Sequence, residues 1–128
     1  MSFLLDTNGW IEFFDDAHDL STKAADLLES TDKPVYVSIA SVWEASIKAG
    51  LGKLELPYDL KRDLPGLFEE NDFELLPISV EQATAVKDLE SIHGDPFDRI
   101  QVVQAQQLGL DVITRDVLFE RYGLKRIW

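Results

Sequence analysis

The feature that most constrains this chain is an alternation. Short apolar runs rich in β-branched and aromatic residues take turns with stretches of helical period along the whole sequence. Strands are expected at Phe3–Asp6, Val35–Ser38, Glu74–Ile78 and Asp111–Thr114, with a short final one at Lys125–Trp128. Helices are expected at Gly9–Phe14, Thr22–Ser30, Val42–Ala49, Leu60–Glu70, Val80–Leu89, Pro96–Leu108 and Val117–Tyr122. Leu54–Leu56 reads as extended. Ser21 and Ser79 stand where helix caps belong, and Gly109 stops the longest helix. Alternating strands and helices imply a parallel sheet with helices on both faces and right-handed crossovers. In such sheets ligands bind at the carboxyl ends of the strands, near the reversal of strand order.

That rule gives meaning to the acids. Asp6 directly follows Phe3-Leu4-Leu5, and Asp116 follows Val112-Ile113-Thr114-Arg115. Glu44 falls in the helix after Val35–Ser38, while Asp95 and Asp98 open the longest helix. Each has a plainer use. Asp6 and Asp116 suit helix caps, Ser41-Val42-Trp43-Glu44 fits the capping box, and Asp95-Pro96-Phe97-Asp98 reads as N-cap, first-turn proline and dipole-favoured acid. For one acid taken alone, capping is the better reading. Four at one edge of a sheet are harder to dismiss, because clustered carboxylates repel unless a cation compensates. Hard oxygen donors suit Mg²⁺ or Mn²⁺. Divalent ions held by such a cluster activate water and stabilise the leaving oxygen of a phosphodiester. Sequence alone does not show that the carboxylates converge.

Composition sets the bounds. The 128 residues fit one domain spanning 1–128, and 45% apolar residues supply a real core. With no cysteine, disulfides, thiolate metal sites and a cysteine nucleophile are excluded, which fits a reducing cytoplasm. No apolar run approaches the ~20 residues of a membrane span. The opening MSFLLDTNGW has no basic leader, so no signal peptide is expected. Net charge is −12, the reverse of a loose nucleic-acid binder. Any RNA role therefore needs bound cations or a local basic rim.

Taken in order, several segments resemble one known family. They are Leu4-Leu5-Asp6-Thr7-Asn8, Ser41-Val42-Trp43-Glu44 with Ile47-Lys48, and Leu51-Gly52-Lys53-Leu54. His93-Gly94-Asp95-Pro96-Phe97-Asp98-Arg99, then Gln104-Ala105 and Ile113-Thr114-Arg115-Asp116, continue the match over essentially the whole chain. The pattern resembles the PIN domain. Its Asp-Pro-Phe-Asp-Arg piece resembles the subgroup containing the VapC toxins of type II toxin–antitoxin pairs. The resemblance implies a three-layer α/β/α sandwich around a parallel sheet of about five strands. It implies Mg²⁺ or Mn²⁺, endonucleolytic cleavage of RNA, a homodimer, and inhibition by a small antitoxin protein. It places the family's acids on Asp6, Glu44, Asp98 and Asp116, with Asp95 as an extra acid of the subgroup. Where subgroup members often carry His soon after the first Asp-Thr, this chain has Asn8-Gly9.

In this reading Asp6 and Asp98 ligate the principal metal, Glu44 ligates a second ion or orients water, and Asp116 completes the set. Thr7 and Thr114 would support carboxylates. Lys48, Lys53, Arg99 and Arg115 could form a positive rim for RNA. For each, generic solvated charge is the simpler account. His93 is expected to be a loop histidine without catalytic role, and Trp43 and Phe97 to be core residues. Asp15, Asp16 and Asp19 read as a solvated loop. Two other functions compete. A non-catalytic PIN-like interaction module is disfavoured by the intact acid set. A haloacid-dehalogenase-like phosphatase would want Asp-x-Asp where the chain has Asp6-Thr7-Asn8. No nucleotide loop of the G-x-x-x-x-G-K type is present, so ATP use is not expected.

Overall fold

The computed structural model describes residues 1–15 and 19–128; Asp16, expected in a solvated loop, lies outside them. Five strands form one sheet: β1 (Phe3–Leu5), β2 (Val35–Ser38), β3 (Phe73–Leu76), β4 (Asp111–Ile113) and β5 (Arg126–Ile127). Their order is β3-β2-β1-β4-β5, and every pairing is parallel. Register is set by apolar partners. Leu5 lies opposite Val37 on one side and Ile113 on the other.

The helices are α1 (Thr7–Phe13), α2 (Thr22–Ser30), α3 (Ile39–Gly50), α4 (Leu60–Glu70), α5 (Val80–Ala85) and α6 (Pro96–Leu108). Among the described residues none is long and apolar enough to cross a membrane. Side chains alternate across the sheet, as strand geometry demands. Phe3, Leu5, Val35, Val37 and Ile113 meet Trp10 of α1, Leu28 of α2, Ala45 of α3, and Leu64 and Phe68 of α4. Leu4 and Val112 point the other way, onto Val102 and Ala105 of α6 and onto Phe119. The three-layer arrangement expected from the sequence is the one observed.

Several boundaries differ from expectation, each for a local reason. Helix α3 starts at Ile39 because the Ser38 hydroxyl accepts the Ala40 N–H. Ser41 is thus already helical, and its hydroxyl donates to Ser38 O and accepts Trp10 Nε1–H instead of capping. The helix expected over Val80–Leu89 ends at Ala85 and tightens into a 3₁₀ turn, Val86–Asp88. Val117–Tyr122 is likewise 3₁₀. Leu54–Leu56 joins no strand.

The reversal of strand order lies at β1, flanked by β2 and β4. The carboxyl ends of β1 and β4 therefore open side by side, which is where a doubly wound sheet places its ligand.

Candidate functional site

Asp6 leaves β1 and caps α1. Its Oδ1 accepts the Gly9 N–H at 2.8 Å, and its Oδ2 accepts the Thr114 hydroxyl at 2.6 Å across the β1/β4 junction. Gly9 is required here: a Cβ on it would stand 2.5 Å from Leu5 Cδ1 and 2.8 Å from Asp6 Oδ1. Asp6 is 7% exposed. Burial is the main reason its pKa climbs from an ordinary 3.8 to about 6. The two hydrogen bonds pull it down, and the charges of Asp116 and Glu44 push it up.

Glu44 sits in the second turn of α3 and is 5% exposed. The capping-box alternative does not hold for it. Its Oε1 accepts the Thr7 hydroxyl at 2.6 Å, and its Oε2 pairs with Lys48 Nζ at 2.7 Å. The same hydrogen bond is the leading reason that the Lys48 pKa is raised, with the charges of Glu44, Asp95 and Asp98 adding to it.

Asp95 behaves as the N-cap of α6: its Oδ1 accepts the N–H groups of Phe97 and Asp98. Those amides are therefore occupied. Asp98, one turn on, has its pKa raised to about 7, first by burial and then by Asp95. The charges of Glu44 and Asp6 also raise it, while His93 lowers it. Asp116 caps the last 3₁₀ turn through Leu118 N–H and also faces His93. Asp6 therefore stands within electrostatic reach of Glu44, Asp98 and Asp116, and Asp98 within reach of Glu44 as well.

His93 is the residue that sequence reasoning undervalued. Its Nε2 lies 2.7 Å from Asp116 Oδ2 and 3.2 Å from Asp98 Oδ2. Single ligand atoms of His93, Asp98 and Asp116 fall within 4.8 Å of one another. No sequence signal marks it beyond its place just ahead of Asp95, because Asp116 lies 23 positions away.

The expected basic rim is rearranged. Arg99 spends its guanidinium on four backbone carbonyls, those of Val86, Leu89, Glu90 and His93. Arg115 pairs with Asp19 and stacks on Trp128 at 5.3 Å. Lys48 borders the acids, and Lys53 is exposed just after α3. Trp43 is not core: it is 61% exposed and meets half-buried Phe97 edge-on, centroids 5.3 Å apart. With Ile39, Ile47 and Leu51 it forms an exposed apolar stripe along α3.

The donor set fits a hard divalent cation. Asp6 and Asp98 are both desolvated enough to resist ionisation, as expected where carboxylates crowd without enough positive charge. Oxygen donors dominate, and none is a thiolate.

A family model, the PIN domain, matches residues 3–125. Solved structures share the fold. FitAcB from Neisseria gonorrhoeae is 24% identical, with 97% of this chain and 95% of that chain covered and a TM-score of 0.69. DNA-bound VapBC from Salmonella typhimurium is 21% identical, covering 98% and 96%, with a TM-score of 0.69. VapC20 from Mycobacterium tuberculosis, a sarcin-ricin loop cleaving toxin, is 12% identical, covering 95% of both chains at a TM-score of 0.71. A comparison with curated proteins returns no match.

Proposed function

The chain belongs to the PIN domain family, and on that premise we propose that it is a metal-dependent endoribonuclease, the toxin of a toxin–antitoxin pair. What supports this reading is that Asp6 leaves β1 at the β1/β4 switch point within electrostatic reach of Glu44, Asp98 and Asp116, and that Asp98 and Asp116 approach each other beside His93. A degenerate interaction module would have no reason to keep desolvated acids in mutual repulsion.

Asp6, Glu44, Asp98 and Asp116 would hold Mg²⁺ or Mn²⁺. When bound, the ion supplies Lewis acidity and makes water a competent nucleophile near neutral pH. The chain's own groups do the rest. Thr114 and Gly9 fix both oxygens of Asp6, and Thr7 fixes Glu44. Asp95 serves the site by starting α6, which carries Asp98 on its first turn. Lys48 holds Glu44 and offers a positive charge where a phosphodiester would approach. With a net charge of −12, the chain has little means of holding RNA without cations.

A small antitoxin and a second copy of the chain are the proposed protein partners, and the exposed stripe Ile39, Trp43, Ile47 and Leu51 supports a protein-binding face. The proposed location is the cytoplasm, where RNA and antitoxin meet.

The test is cleavage of a panel of tRNAs and rRNA fragments with Mg²⁺, Mn²⁺ or EDTA, beside a small phosphate ester. RNA should be cut, the ester spared and EDTA should stop the reaction. Folded Asp6→Asn and Asp98→Asn chains that cut RNA as fast as the parent would refute the assignment.

A further inference from the structure

His93 lies against two of the candidate acids, so its chemistry decides what it does there. The ring is held at both nitrogens. Nδ1 lies 3.2 Å from the Asp95 N–H, which can only donate. Nδ1 must therefore present its lone pair. A neutral imidazole with a lone pair on Nδ1 carries its proton on Nε2. An imidazolium would carry a proton on Nδ1 as well and lose the Asp95 contact. The Nε2–H then donates to Asp116 Oδ2 at 2.7 Å, and Asp98 Oδ2 lies 3.2 Å from the same nitrogen.

The surroundings hold that orientation. The His93 N–H donates to the Tyr122 hydroxyl at 2.7 Å, and that hydroxyl donates to Glu90 O. Arg99 grips the His93 carbonyl and three more carbonyls of residues 86–90. Phe119 meets the ring edge-on at 6.3 Å. Two residues that could have served the surface, Arg99 and Tyr122, instead fix the loop carrying one imidazole.

We propose that His93 is a positioning residue: its Nε2–H donates to Asp116 and holds that carboxylate beside Asp98, and the ring does not itself ligate metal. The inference rests on the nuclease reading only for the purpose of that contact. Each carboxylate oxygen has two lone pairs, so one that accepts from His93 keeps another for a cation. Taking Nε2 as a ligand instead would require moving the proton to Nδ1 and breaking the Asp95 contact. Fixing of acidic ligands by neighbouring donors is the kind of support whose loss weakens metal binding about 10–100-fold.

The experiment is nitrogen NMR on the full chain labelled with ¹⁵N-histidine at pH 8.5, without metal and with saturating Mg²⁺. The chain has two histidines, so His93→Gln assigns the resonances. Expected is a protonated Nε2 and an unprotonated Nδ1 in both states. A protonated Nδ1, or an Nε2 that becomes a metal ligand on adding Mg²⁺, overturns the proposal. Mn²⁺ affinity, read by electron paramagnetic resonance, gives the second test. His93→Gln, whose amide N–H reaches the Nε2 position, should stay within about 3-fold of the parent, and His93→Ala should weaken by about 10-fold or more. A folded His93→Ala chain that binds as the parent does also overturns it. A parent chain that binds no Mn²⁺ counts against the nuclease reading alone, since the nitrogen resonances still decide the tautomer.

Discussion

Replacing Asp6 with Asn should abolish cleavage and yet stabilise the metal-free protein at pH 8. The rise of the Asp6 pKa from 3.8 to about 6 means the folded chain holds the charged form at a cost. At about 1.4 kcal/mol per pH unit this cost approaches 3 kcal/mol, and relaxation around the site brings it to roughly 1–3 kcal/mol. Asn keeps the same outline. Its carbonyl accepts the Gly9 N–H, and its amide donates to the Thr114 hydroxyl oxygen, which already accepts the Asp116 N–H, so the gain is trimmed by the acceptor that the hydroxyl proton loses. For a domain of this size 1 kcal/mol moves Tm by about 4 °C, so the gain is about 4–12 °C. The sign follows from linkage. A carboxyl whose folded pKa is raised binds its proton more tightly when folded, so the parent loses stability as pH rises from about 4 to about 6. The advantage of the variant should thus shrink toward zero at pH 4. Thermal unfolding in EDTA across that range is the assay. A variant less stable than the parent at pH 8, or a gain that does not depend on pH, would refute the reasoning.

Gly9→Ala should destabilise by about 1–3 kcal/mol despite the better helix propensity of alanine, because the new methyl meets Leu5 and Asp6. Urea unfolding checks it, and a more stable variant contradicts the packing argument. Thr7→Val, nearly isosteric, should cost about 1.5–3 kcal/mol by removing the buried hydroxyl bond to the Glu44 carboxylate. An unchanged urea midpoint would show that bond to be worth nothing. Adding Mg²⁺ at about 100 times its Kd should stabilise by about 2.7 kcal/mol at pH 8. The effect should fade as pH falls through about 7 and about 6, where Asp98 and Asp6 take up protons. Equal stabilisation at pH 5 and pH 8 would argue that these two acids do not bind the ion.

What sequence made legible was local. The Phe3-Leu4-Leu5 run followed by Asp6, and the Asp95-Pro96 start of α6, are short-range signals, and the chain folds as they say. Glu44 was legible as an acid near the edge, but its burial was not, because that depended on Ser38 rather than Ser41 taking the cap. Trp43 was misjudged because its neighbours in sequence are apolar, whereas its neighbours in space leave it 61% exposed. The contacts of Arg99 and His93 were not legible for a related reason. Their partners lie up to 13 and 29 positions away, beyond any spacing rule.

The bond from Thr114 to Asp6 spans 108 positions of the chain. Strand β1 is central, yet one of its two neighbours, β4, is synthesised only after α6. At roughly 5–20 residues per second, several seconds separate the emergence of Asp6 from that of the hydroxyl that orients it. A nascent chain ending after α6 carries Asp6, Glu44 and Asp98 without Thr114, Asp116 or the sheet edge that gathers them. For a chain with the proposed activity, that timetable keeps the growing polypeptide inert beside the messenger that encodes it.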